Sequence, residues 1–202
     1  MAYVPKLTKQ NIMKDVDFRK SMEYLKAIKA LHLSKFTTMK RNLIDSFEGH
    51  LVTKEIDGGT GASNISGTLG GKGNLFSFIG FKSNSNPTEP IRLALNAISQ
   101  TAVLTKKDGS ATSHILYPSP DDIFRITPLP WADGRSWVLG IERGISNFGQ
   151  YLDLKAESSR SGRGIQNENV ESGASFSTTS YITDLIKTFE KEINKLNSSK
   201  VI

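Results

Sequence analysis

The sequence predicts an α+β fold, with a helix at each end of the chain packed on one face of an antiparallel sheet. Three observations lead there. Apolar residues recur at helical spacing from Ile12 to Phe47. They do so again from Ile182 to Leu196. Between these stretches, Asp108-Gly109 separates two β-prone runs and suits a two-residue turn with positive φ at its central positions.

The 202 residues fit one α+β domain, 1–202, long enough to bury a core of its own. Residues 1–49 form its helical N-terminal segment, 50–176 its sheet with two long Gly/Ser-rich loops, and 177–202 its C-terminal helix and tail.

In the first segment Ile12, Val16, Met22, Leu25, Ile28, Leu31, Phe36, Met39, Leu43 and Phe47 stand among Lys and Arg. The spacing predicts one long helix or two broken ones over 8–47, closed by Gly49. A helix of about 35 residues is about 50 Å long, more than one small domain requires, so part of it is expected to meet another chain. Residues 51–56 read as a strand, and 57–73 as a small-residue loop that runs into an apolar strand at 74–81. The loop is expected to lack order in an isolated subunit, since glycine loses the most backbone entropy and few apolar groups offset that loss. Asn84 to Pro87 turns the chain into a short helix over 90–98. Residues 102–107 and 110–117 form the hairpin, and Ile123 to Ile126, bracketed by prolines, reads as an edge strand. Over 131–152 the pattern fits helix or strand: Trp137, Ile141, Ile145, Phe148 and Leu152 make a helical face that Gly140, Gly144 and Gly149 weaken. Residues 155–176 are a second long loop, and 181–196 the C-terminal helix.

Cysteine is absent, which excludes disulfides and thiolate metal sites and leaves stability to apolar burial and assembly. No apolar run is long enough to span a bilayer, and 1–11 lacks a signal-peptide core, so the chain reads as a soluble product of the cytosol. The net charge of +6 is concentrated at the N-terminus. Such a segment suits nucleic acid, an acidic protein surface, or simply a solvated helix face.

The motifs argue against an active site. For a P-loop, Ser66 stands where glycine is required and Gly73 where Ser or Thr is required; Phe76 breaks the dinucleotide fingerprint. His32, His50 and His114 are scattered, with no partner at metal-ligand spacing. Asp121-Asp122 and Asp57 read as turn chemistry. No enzyme activity, metal or cofactor is expected. Arg160 and Arg163 flank a Ser-Gly pair that would let guanidinium groups reach phosphates or an acidic partner.

Two stretches resemble neck or tail-completion proteins of tailed bacteriophages. One runs from His50-Leu51-Val52-Thr53-Lys54-Glu55-Ile56 through Ser66-Gly67-Thr68-Leu69-Gly70-Gly71-Lys72-Gly73 to Asn74-Leu75-Phe76-Ser77-Phe78-Ile79-Gly80-Phe81. The other runs from Pro128-Leu129-Pro130-Trp131 through Gly134-Arg135-Ser136-Trp137 to Gly140-Ile141-Glu142-Arg143-Gly144-Ile145. With Ser159-Arg160-Ser161-Gly162 they cover about half the chain. The resemblance implies a virion protein of the neck, between head or portal and tail, present as a homo-oligomeric ring. It implies no catalytic residues, and a fold in which a long N-terminal helix and a C-terminal helix pack on a curved antiparallel sheet with a long β-hairpin. Neighbouring portal, adaptor and tail proteins become the expected partners, with non-specific contact to genomic DNA and no membrane. Gly67, Leu69, Lys72, Phe76, Phe78, Trp131 and Trp137 are the candidate subunit-interface residues, and Arg160 and Arg163 the candidate DNA or acidic-partner contacts. The alternative is a nucleic-acid-binding module using the basic N-terminal helix, recognised by strongly salt-dependent affinity.

Overall fold

A computed structural model describes residues 22–71, 73–106, 110–144 and 176–198. The fold is α+β, with seven α-helices and two small antiparallel sheets among the described residues.

Helix α1, Met22–Gly49, places Phe36, Met39, Leu43 and Phe47 on one buried stripe. Their spacing of three or four residues is what a core-facing helix requires. Helix α7, Ile182–Ser198, buries Ile182, Ile186, Phe189, Ile193 and Leu196 in the same apolar cluster. The two run antiparallel: Phe47 stacks on Tyr181 at 6.1 Å near one end, while His32 and Asn197 both reach Ser113 near the other. Predicted residues 8–21 of the first helix lie outside the described residues.

Between the long helices the chain departs from several expected strands. Residues 51–56 belong to helix α2, Leu51–Asp57, not to a strand. The His50 side chain accepts the Val52 N–H at its start, and Val52 and Ile56, one turn apart, both face the core. Residues 74–81 likewise hold helix α3, Leu75–Ile79. Asn74 Oδ1 accepts the Ser77 N–H at 2.8 Å, and Gly80, at φ 83°, closes the helix in the left-handed conformation. Helix α4, Glu89–Asn96, matches the expected short helix with proline in its first turn.

Strands β1, Ser99–Thr105, and β2, Ala111–Leu116, form the expected hairpin, with a bulge between Gln100 and Ala102. The Asp108-Gly109 turn lies outside the described residues. The expected edge strand at 123–126 is helix α5, Pro120–Arg125. Ser119 Oγ accepts the Asp122 N–H while the Asp122 carboxylate accepts the Ser119 N–H, a reciprocal cap with proline at the first helical position. The described part of the ambiguous region, 131–144, holds strand β4, Ala132–Ser136, paired with β3, Pro128–Leu129, and then helix α6, Trp137–Arg143; residues 145–152 lie outside the described residues. Among the described residues the expected curved sheet is replaced by two separate two-stranded antiparallel sheets.

Candidate functional site

The glycine loop is organised around a buried carboxylate. Glu55, on α2, is 0% exposed, so its charge must be satisfied from within. Oε1 accepts the Asn64 side-chain amide at 2.8 Å and the Leu75 N–H at 2.7 Å; Oε2 accepts the Ser66 N–H at 2.9 Å. Asn64 Oδ1 in turn accepts the N–H groups of Leu69 and Gly71, at 2.9 and 3.1 Å. The Thr68 carbonyl accepts the Ser177 N–H at 2.8 Å, joining the loop to the approach to α7. Side chains thereby supply the loop with the partners that its few apolar residues do not.

The candidate interface residues separate into distinct environments. Phe76 and Trp137 are core: each is almost wholly covered, and both flank Phe81, Trp137 edge-on at 5.7 Å and Phe76 at 5.4 Å. In the folded chain neither is available to a neighbour. Phe78 stacks on Phe176 at 5.8 Å, and Trp131 donates its indole N–H to the Ile79 carbonyl at 2.8 Å. Leu69 is half-buried against the core. Gly67 sits on the exposed part of the loop at φ 72°, a conformation that favours glycine over a residue with a side chain. Lys72, Arg160 and Arg163 lie outside the described residues.

Two polar groups have structural work. Arg92 of α4 donates Nε and an Nη to both carboxylate oxygens of Glu48, at 2.7 and 2.9 Å, and a further contact goes to Asp57. Its guanidinium also lies over the Phe47 ring, 5.8 Å from the centroid. Hydrogen bonding to Glu48 raises its pKa above the ordinary range, so it remains a permanent cation joining α1, α2 and α4. His50 lines an open groove of about 540 Å³ with Ser46, Leu51, Ser66, Thr179 and Leu185. Burial lowers its pKa, against a hydrogen bond to the Ser180 backbone and the charge of Glu142. One ring nitrogen caps α2 and the backbone of Ser180 holds the ring as well, so His50 is engaged as a brace instead of a free base.

Among the described residues no group of His, Asp and Glu has metal-binding geometry, and no helix is long and apolar enough to cross a membrane. Of the basic residues of α1, Lys40 donates to the carbonyls of Asn96 and Ile98, at 2.6 and 2.8 Å, and thereby closes the end of α4. Lys26, Lys29, Lys35 and Arg41 are exposed.

Large apolar side chains stand exposed in several places, some of them on the first helix that the sequence already expects to meet another chain. On α1, Met22, Leu31 and Leu33 stand in solvent; on the hairpin, Leu104 and Leu116 do. The hairpin pair has a readable signal. Val103 and Leu104 are adjacent and apolar, and alternation along a strand sends one of them outward. No protein-family model, curated protein or solved structure matches the chain.

Proposed function

We propose that this chain is a structural virion protein of a tailed bacteriophage, forming an oligomeric ring in the neck that connects head and portal to tail. The resemblance of residues 50–81 and 128–145 to neck and tail-completion proteins supplies the placement. The observation that carries the assembly role is the N-terminal half of α1. The helix is about 42 Å long at 1.5 Å per residue, yet its contribution to the central core begins only at Phe36. Before that point Ile28 and His32 are buried, while Met22, Leu31 and Leu33 are exposed. Apolar side chains on a helix that outruns its own core suit a surface completed by a neighbouring subunit.

Electron microscopy of the purified chain tests this reading. Closed rings are expected, with Leu31→Glu and Leu33→Glu together reducing them to small species that stay folded. A chain that remains monomeric at high concentration contradicts it. The exposed Lys26, Lys29, Lys35 and Arg41 favour the nucleic-acid alternative, for which a monomer with steeply salt-dependent DNA binding is the expected result.

A further inference from the structure

The two outer edges of the β1–β2 hairpin are treated differently. On β2, Asn197 of α7 takes the place of a third strand: its Oδ1 accepts the Ser113 N–H at 2.7 Å and its Nδ2 donates to the Ser113 carbonyl at 3.2 Å. The Ser113 hydroxyl is also held, by His32 Nδ1 at 2.7 Å and by Gln100 Nε2 at 2.8 Å. That edge is occupied at Ser113.

These bonds also fix the polarity of the opposite edge. Ser113 turns its backbone groups away from β1, so its partner Val103 must turn its own away from β2, because facing residues of an antiparallel pair share one hydrogen-bonding state. Two residues on, Thr105 does the same, consistent with the Lys106 N–H donating inward to Ser110 at 2.8 Å. The N–H and C=O of Val103 and of Thr105 thus face outward, with no protein partner among the described residues. Residues 99–105 contain no charge and no proline, so beyond the bulge before Ala102 the strand carries none of the usual edge guards of its own. Leu104 stands between the two on the outward face, 55% exposed.

We propose that β1 is the docking edge for a second copy of this chain, the two β1 strands pairing antiparallel about a two-fold axis at Leu104. With Leu104 opposite its own counterpart, Val103 of each copy faces Thr105 of the other, and all four outward groups of each strand find partners. The two Leu104 side chains then meet in the closer, non-hydrogen-bonded type of pair, where apolar cross-strand contact stabilises most directly. The strand is its own complement: uncharged positions face uncharged ones, and each Lys106 falls opposite an alanine, Ala102. The bulge before Ala102 ends the pairing on that side. Because a two-fold contact closes after two copies, it is separate from the head-to-tail surface that a ring requires. A strand pair this short buries less than the ~1,600 Å² of a standard interface, so the dimer is expected to be weak and transient.

The absence of cysteine makes the contact directly readable. Leu104→Cys places a single thiol at the axis, and Leu116→Cys places one on the same outward face but on β2. Under mild oxidation at concentrations above the Kd, Leu104→Cys is expected to form a disulfide dimer at least about tenfold faster than Leu116→Cys. Adding Val103→Pro to Leu104→Cys should slow that reaction about tenfold, since it deletes an outward N–H that the hairpin itself does not use. Thr105→Pro removes the other outward N–H and serves as the second variant if Val103→Pro fails to fold. The same rates in a Leu31→Glu, Leu33→Glu background would show that the contact is independent of the surface proposed for α1. Equal crosslinking at positions 104 and 116, or crosslinking at 104 that neither proline slows, overturns the proposal.

Discussion

The Glu55 carboxylate accepts the backbone N–H of Leu75 at 2.7 Å, so the acid on α2 fixes the start of α3 on the far side of the glycine loop. The same carboxylate holds Asn64 and Ser66, so one side chain sets the loop's entry into the next helix as well as its path. Glu55→Ala would leave the Leu75 and Ser66 N–H groups without their acceptor in a buried site. A loss of about 3 kcal/mol is expected, with about half that for Glu55→Gln, which keeps the shape but turns a donor toward donors. Denaturant unfolding measures the loss. Hydrogen exchange should show amides of residues 64–75 deprotected more than those of α7; equal changes across the chain would deny the loop its dependence on Glu55.

Arg92 joins three helices, and its replacement exposes that link. In Arg92→Ala, Glu48 and Asp57 lose their shared cation, at an expected cost of about 2 kcal/mol. Arg92→Lys should recover only part of it, because an ammonium cannot donate in parallel to both Glu48 oxygens as the guanidinium fork does. Thermal unfolding in which lysine restores full stability would show that charge alone is what matters there.

His32 and His50 set a pH window. Burial lowers the pKa of both; for His32 the charge of Lys35 acts in the same direction. A histidine whose folded pKa is lowered is held neutral by the fold. Its contribution is therefore complete above the unfolded value of 6.5 and is lost as pH falls through 6.5 toward the lowered folded value. Unfolding experiments should show stability declining below pH 6.5, and His32→Gln should flatten that decline without abolishing it, since His50 titrates in the same sense. An unchanged pH profile in His32→Gln would remove His32 from this account.

Asn197 is expected to protect the hairpin. Asn197→Leu would free the N–H and C=O of Ser113 at the edge of β2, at a cost of about 1 kcal/mol. It would also leave both edges of the sheet open to other strands. Light scattering should then report association beyond that of the parent chain. A variant as stable and as dispersed as the parent would show that the edge is guarded by something else.

What could be read from the sequence follows the reach of each signal. Helix α7 repeats its apolar spacing for over four turns, and Asp108-Gly109 marks its hairpin locally; both readings give the element type correctly. The short helices were not legible from apolar content, because five to seven residues satisfy a strand pattern and one or two helical turns alike. Their caps decide the type. Ser119-Pro120-Asp121-Asp122 carries that information in plain view, as a capping residue, a first-turn proline and an acid three positions on. Phe76 and Trp137 look like interface aromatics in sequence because a strand covered by a neighbour and a helix buried in its own core need the same residues. The part played by Glu55 has no local signature: its partners stand nine, eleven and twenty positions away and meet only in the folded chain.

The neck assignment is tested most directly by imaging the junction between head and tail in particles that encode this chain. Mass spectrometry of purified particles should find the protein. Electron cryomicroscopy should place a ring of its copies between portal and tail, α1 of each meeting the next through Leu31 and Leu33. Particles complete from head to tail yet lacking this protein would contradict the account.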